Sequence, residues 1–162
     1  MVVRRGSFIE EYIDEIDTGA SVSEAAVQPN GVDLSIDTIY GVEGTPRLTD
    51  SDYDKGSRVE LTPNEDGFYN LDEGVYIVQY GERISIPTDH VGLVLPRSRM
   101  MRCGISVETA VWDAGYEGGG EGALRVGQEV EVAEDMRIAQ LILFQTEELD
   151  ETYDGHHQAE RL

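Results

Sequence analysis

Beyond residue 20 the chain holds almost no run in which apolar residues recur every three or four positions, and nothing else narrows its fold as much. In their place come short, β-branched stretches. Val32, Leu34 and Ile36 alternate with polar neighbours, and residues 75–80 and 91–95 are apolar runs bounded by turn residues such as Asp72-Glu73-Gly74 and Thr88-Asp89. Residues 137–145, RIAQLILFQ, are long enough for a helix, but their neighbours and the Leu-Phe-Gln-Thr ending favour a buried strand. Many strands punctuated by glycine predict an all-β sandwich or barrel. The exception is the start. Ser7 and Glu10 form a capping box, Phe8, Ile9, Tyr12, Ile13 and Ile16 share a face, and Gly19 suits a helix end, so a helix is predicted there. The acidic stretch 41–57 reads as an exposed loop.

A length of 162 residues fits one domain with a real core, and two would be cramped. Acidic residues number 33 against 12 basic ones, a formal net charge of -21. Such charge favours disorder through self-repulsion, yet 40% of residues are hydrophobic and the apolar runs are regular. Carboxylates spread along the whole chain therefore point to a folded, halophilic protein, since at molar salt the Debye length falls to about 3 Å. No basic stripe exists to displace counterions from a nucleic acid polymer, and that class of partner is excluded. Cys103 stands alone, so no internal disulfide is expected and a reducing compartment fits. The N-terminal MVVRRGSFIEEY lacks the apolar core of a signal peptide, and no stretch approaches the roughly 18 apolar residues of a membrane span. A cytoplasmic protein without membrane attachment is expected.

Chemistry concentrates in three segments. Arg97, Arg99 and Arg102 bring three of the twelve basic residues within six positions, beside Ser98. In so acidic a chain that reversal calls for an anionic counterpart, and the guanidinium fork suits phosphate. Pairing with surface carboxylates is the plain alternative. The second segment, Val111-Trp112-Asp113-Ala114-Gly115-Tyr116 followed by Glu117 and residues 118–120, sets an acid beside a glycine-rich bend and two aromatics. It suits a hairpin closing on a flat ligand with Asp113 as general base, or an ordinary hairpin with a solvated aspartate. No Gly-Lys-Ser/Thr and no helix follows, so it is neither a P-loop nor a dinucleotide fingerprint. The third, Gln28-Pro29-Asn30-Gly31-Val32-Asp33, is a turn entering a strand, and Asp33 suits a hydrated magnesium ion, which takes few carboxylates and several waters. His90, His156 and His157 make no zinc pattern with Cys103, and no nucleophile elbow surrounds Ser98.

In order, these segments resemble the motifs of the dUTPase and dCTP deaminase family, especially its single-domain archaeal branch. Gln28 to Leu34 is similar to Gln-Pro-x-Gly-x-Asp-Leu; Arg97-Ser98-Arg99-Met100-Met101-Arg102-Cys103-Gly104 to Arg-Ser-Ser-Leu-Ala-Arg-x-Gly; Asp113-Ala114-Gly115-Tyr116-Glu117-Gly118 to Asp-Pro-Gly-Trp/Tyr-x-Gly; and Arg137-Ile138-Ala139-Gln140-Leu141 to Arg-Ile-x-Gln-Leu. Tyr153, Gln158 and Arg161 echo the family's C-terminal arm. The resemblance implies a distorted jelly-roll-like β-barrel assembled as a homotrimer with shared active sites. It implies the division 1–27 (helix and lead-in), 28–146 (barrel core) and 147–162 (arm), all one domain. It further implies cleavage of dUTP to dUMP and pyrophosphate, which lowers dUTP and supplies dUMP for thymidylate synthesis. Asp113 would activate the attacking water. Arg97, Ser98, Arg102 and Gln140 would bind phosphates, and the hairpin of residues 107–113, with Val107, Thr109 and Val111, would read the base. Tyr116 would pack on the sugar, Asp33 would hold Mg2+ through water, and the arm would fold over a neighbouring site. Arg99, Met100, Met101 and Ala159 depart from the family pattern.

Two other readings stay open. Deamination of dCTP, alone or together with dUTP cleavage, needs a glutamate about ten residues beyond Asp113. Around that position stand Gly122, Ala123, Leu124, Arg125 and Val126, and Glu121 comes too early unless the strand is bulged. A non-catalytic nucleotide-binding homologue is the other, though it would not need Asp33, Ser98, Asp113 and Gln140 together.

Overall fold

The computed structural model describes residues 2–147 and 152–161, and β-strands dominate them. The chain opens with β1 (Val2–Val3), a short helix α1 (Gly6–Ile9), β2 (Ile13–Glu15), β3 (Val27–Gln28) and the long β4 (Gly31–Glu43). An excursion follows through β5 (Arg47–Leu48) and β6 (Tyr53–Asp54), after which come β7 (Ser57–Glu60), β8 (Phe68–Leu71) and β9 (Gly74–Ser85). The remainder comprises β10 (His90–Pro96), helix α2 (Ser98–Arg102), β11 (Ile105–Glu108), β12 (Glu117–Val126), β13 (Val130–Ala133) and β14 (Arg137–Gln145).

β4 organises the whole. Its first residues, Val32 to Ser35, pair with β14, which in turn pairs with β10. From Ile36 onward it pairs with β9, which carries β12 and then β11. The register slips between Ile36 and Thr38. A slip of this kind bends a strand and increases its twist, so one strand serves two packed sheets. Their inner faces meet on Leu34, Ile36, Ile39, Tyr80, Ile84, Leu124 and Leu141, all fully buried. The alternation needed for this is visible in β9, where from Val78 to Ile84 every second residue is buried. The curled, jelly-roll-like all-β fold expected from the sequence is the one observed, and RIAQLILFQ is indeed a strand at its centre.

The N-terminal helix is much shorter than the sequence pattern predicts. Helical turns cover only Gly6–Ile9 and one tight turn, Glu10–Tyr12, before β2 begins. Arg5, not Ser7, occupies the cap position, without a side-chain hydrogen bond. Gly6 approaches the turn before β4 so closely that a Cβ would lie 1.9 Å from the Gln28 carbonyl oxygen, so the chain must enter its helix there. Ile13 then leaves the apolar face and pairs with Ile84 on β9, fully buried. Tertiary pairing outweighs the local capping signal. The stretch 41–57 is exposed as expected, but it contains the end of β4 and a β5–β6 hairpin displaying Leu48 and Tyr53.

One buried carboxylate belongs to this core. Glu82 is 6% exposed and accepts hydrogen bonds from the Ser35 backbone N–H at 3.0 Å and its hydroxyl at 2.7 Å. Burial outweighs those bonds and pushes its carboxyl from an ordinary 4.5 up to about 7. The native state therefore binds this proton more tightly than the unfolded chain. The stabilisation is complete below pH 4.5 and is lost as pH rises through about 7. Relative to wild type, Glu82→Gln should flatten the stability profile in that window, by up to about 3 kcal/mol. Urea midpoints at fixed high salt across the window measure it; parallel profiles refute it.

Candidate active site

Two groups of polar residues lie at the ends of these strands. The first surrounds Asp33 on β4, which faces Gln140 on β14 in register; Gln140 in turn faces Leu95 on β10. Gly31 leaves room for Gln140, since a Cβ there would lie 2.7 Å from its Cγ. Arg97 follows β10 directly. Its backbone N–H bonds the Ile138 carbonyl at 2.9 Å and its guanidinium bonds the Arg137 carbonyl at 3.1 Å, which locks it across the strand ends. Ser98 and Arg102 lie on α2 and are exposed, while Met100 on the same turn is buried and anchors it. Asp33 Oδ2 lies 3.1 Å from Arg97 and 3.5 Å from Arg137. Burial raises the Asp33 carboxyl's affinity for its proton, and the two arginines partly oppose that. At 2% exposure Asp33 is buried beside two arginines, and its Oδ2 accepts no hydrogen bond. Arg137, which the sequence reading treated only as the start of a motif, is thus the second cation of this strip.

The second group is built on residues 107–121. Val107 is buried on β11, and the Thr109 hydroxyl donates to the Val94 carbonyl at 3.2 Å. Val111 and Asp113 are exposed, and between them Trp112 is bridged to Gly92 by bonds of 2.8 and 3.0 Å. Tyr116 packs edge-on against Trp112 at 5.2 Å, and its hydroxyl donates to the Gly119 carbonyl at 3.3 Å. Burial pushes this phenol up to about 12, so it stays protonated. The glycines have a steric reason: a Cβ on Gly120 would lie 1.9 Å from the Trp112 ring. Bare backbone is what lets the indole lie flat on β12.

The described part of the arm folds against this hairpin of its own chain rather than standing free toward another. Tyr153 meets Tyr116 edge-on at 5.7 Å, and its N–H bonds the Ala114 carbonyl at 2.8 Å. Gln158 accepts from the Glu117 N–H and donates to the Gly115 carbonyl, each at 3.2 Å. Arg161 donates to the Tyr80 carbonyl at 2.8 Å and pairs with Asp37. Ala159, where the family pattern has glycine, still takes the left-handed conformation at φ 58°. Residues 148–151 and Leu162 of the expected arm lie outside the described residues.

Between hairpin and arm lies a cavity of about 220 Å³ lined by Trp112, Asp113, Tyr116, Glu121, Tyr153 and His157, among others. An adjoining groove runs past Thr109 and shares Ala110 and Glu121 with it. Glu121 comes just after a register slip between Gly119 and Glu121, the irregularity that the sequence left open. Both its oxygens are held by Arg58 at 2.7 and 2.9 Å, with Gln79 adding a bond of 2.8 Å. Burial raises this carboxyl, but those donors outweigh it and hold it below the usual range. Of the residues here, the sequence singles out Glu121 only as an acid placed too early for deamination and His157 only as part of no zinc pattern, and it gives Arg58 no role. No spacing rule links Arg58 on β7 to a carboxylate three strands away.

The strip and the foot of the hairpin adjoin, since α2 packs on β11, but Asp113 stands apart from Arg97 within one chain. Its neighbour Trp112 is bridged to Gly92, and Arg97 lies five residues further along an extended strand, roughly 16 Å from Gly92. Among the described residues there is no group of three side chains suited to hold a metal ion, and no helix is long and apolar enough to cross a membrane.

Sequence comparison places this curled β-fold, with its cationic strip and acid-bearing aromatic hairpin, in a known class. The chain belongs to the dCTP deaminase-like family, whose pattern matches residues 3–146. It is 39% identical to a protein of Halobacterium salinarum named probable deoxyuridine 5'-triphosphate nucleotidohydrolase, over 97% of this chain and 94% of that one. A protein of the same name from Methanococcoides burtonii is 35% identical over 100% of this chain and 94% of its own. Among solved structures, the 2'-deoxycytidine 5'-triphosphate deaminase of Agrobacterium tumefaciens shares the fold with a TM-score of 0.67 at 21% identity. That match covers 87% of this chain but 47% of the deaminase, so this chain spans about half its length. The dUTPase of phage phi11 of S. aureus matches with a TM-score of 0.52 at 15% identity, over 89% of this chain and 96% of that one.

Proposed function

We propose that this protein is a dUTP diphosphatase, hydrolysing dUTP to dUMP and pyrophosphate and so lowering dUTP while supplying dUMP for thymidylate synthesis. The carrying observation is the pairing of a cationic strip with an exposed aspartate on an aromatic-walled hairpin, in a chain similar along nearly its whole length to proteins named for this activity. Water attacks the α-phosphorus while the bond to the α,β-bridging oxygen breaks and pyrophosphate departs. Asp113 orients that water and takes its proton. Arg97, Arg102, Arg137, Ser98 and Gln140 bind the phosphates, where fixed donors stabilise charge moving onto the leaving group. Backbone groups of residues 107–113, including Val107, Thr109 and Val111, read the base; Tyr116 packs on the sugar. Tyr153, Gln158 and Arg161 close the cavity against water.

The site is completed between copies in a homotrimer. The roughly 16 Å between Arg97 and Gly92, which is bridged to the residue before Asp113, supports this, because a second copy can bring its arginines to the first copy's aspartate. Magnesium fits as an ion that arrives on the triphosphate, where it would neutralise phosphate charge. Asp33, already engaged by two arginines, fits its coordination poorly. A salt-rich cytoplasm suits the net charge of -21.

Deamination of dCTP is the second reading, favoured by one observation: the register slip brings Glu121 to the cavity wall. Against it, a group that must gain and lose a proton is ill served by a carboxylate held ionised by Arg58 and Gln79. Incubation with magnesium and dUTP or dCTP at high salt separates the readings. Pyrophosphate from dUTP without ammonia from dCTP is expected. Ammonia would reverse the ranking, and tight binding of dUTP without product would leave a nucleotide-binding protein.

A further inference from the structure

The pyrimidine side of the cavity contains an ion pair that hydrolysis does not require. Glu121 borders both the aromatic cavity and the adjoining groove along Thr109, so it flanks the ligand whichever of the two receives the base. Its partner, Arg58, belongs to the strand that follows the exposed excursion and reaches across β4 and β9 to grip both carboxylate oxygens. Gln79 binds one of those oxygens as well and accepts a bond from the Tyr40 hydroxyl at 3.3 Å, giving a continuous polar ladder over three strands. The paired side chains are only 18% and 20% exposed, so solvent screens them weakly.

The chemistry of the two candidate bases gives this pair a meaning. At position 4 uracil carries a carbonyl oxygen, an acceptor, while cytosine carries an amino group, a donor. An unpaired carboxylate beside that position only accepts, so it would attract the amino group and repel the carbonyl. Here the guanidinium compensates the charge, and with Gln79 it fills three of the carboxylate's roughly four lone-pair sites, so the wall becomes tolerant of a carbonyl.

We propose that Arg58 is a specificity determinant: by neutralising Glu121 at the cavity wall, it lets the site prefer a uracil over a cytosine nucleotide. This rests on the site being the pyrimidine pocket of a dUTP-cleaving enzyme. It makes the strand after a seemingly idle surface excursion part of substrate selection.

Arg58→Gln, Arg58→Lys and the double variant Arg58→Gln/Glu121→Gln test it at high salt. Steady-state pyrophosphate release gives KM and kcat for dUTP, and inhibition by the α,β-imido analogues of dUTP and dCTP gives their relative affinities. In Arg58→Gln, the preference for the dUTP analogue over the dCTP analogue should fall at least about tenfold, through weaker dUTP and stronger dCTP binding, with kcat changed by less than about threefold. Arg58→Lys, which keeps the charge but not the fork, should fall between. Removing the carboxylate too should restore most of the lost preference, because an amide at 121 no longer needs compensation. A merely structural role would weaken both analogues alike, with no rescue by the second substitution, and that outcome overturns the proposal. Should wild type release no pyrophosphate from dUTP, the functional reading itself is wrong; should it do so while Arg58→Gln keeps its preference, only the role of Arg58 is.

Discussion

Asp113→Asn is expected to slow pyrophosphate release by at least about a hundredfold while leaving affinity for a non-hydrolysable dUTP analogue within a few-fold of wild type. A positioned general base is worth roughly that factor, and the amide keeps the size of the carboxylate but cannot take the proton. Asp113 is exposed, and its part in the fold is played by its backbone carbonyl, which accepts from the Tyr116 N–H, so replacing the carboxylate by an amide leaves the hairpin intact. The loss should therefore fall in kcat and not in binding. Wild-type turnover in this variant would remove Asp113 from the reaction.

The second large effect comes from mixing two inactive proteins. Arg97→Ala removes a cation from the strip and Asp113→Asn removes the base. If each site takes its strip from one copy and its hairpin from another, neither variant alone is active. Copies unfolded and refolded together in equal amounts should then regain roughly a quarter of wild-type activity, the fraction of sites drawing an intact group from each. Sites confined to one chain would give none. Arg97→Ala also leaves Asp33 buried with one arginine instead of two, so its melting temperature must be followed alongside.

What the sequence discloses and what it hides follow from how local each signal is. Strands such as β9 and β14 are legible because a run of apolar residues, with about every second one buried, is written into consecutive positions. The glycine run after Tyr116 is legible as a turn-like feature, but its reason is not: it is the indole of Trp112, brought in by Gly92 from another strand, that forbids a Cβ at Gly120. The N-terminal helix is shorter than its caps and apolar face predict because those signals are local, whereas Ile13 pairs with Ile84, 71 positions away. Residues 97–102 and Asp113 draw attention through chemistry out of keeping with their surroundings. Arg58 and Glu121 do not, being a common surface pair in composition and a partly buried one only in three dimensions. Asp33 was visible as an acid at a strand entry, but its partners, 64 and 104 positions away, were not.

The double membership of β4 bears on how such a molecule can respond to its ligand. One continuous strand carries Asp33 near its start and the pairing partner of β7 near its end, bent between them where its register slips from Ile36 to Thr38. The proposed grip on phosphate and the proposed wall beside the base are therefore coupled through a single strand, and that bend is where a displacement at one end would be absorbed or passed to the other.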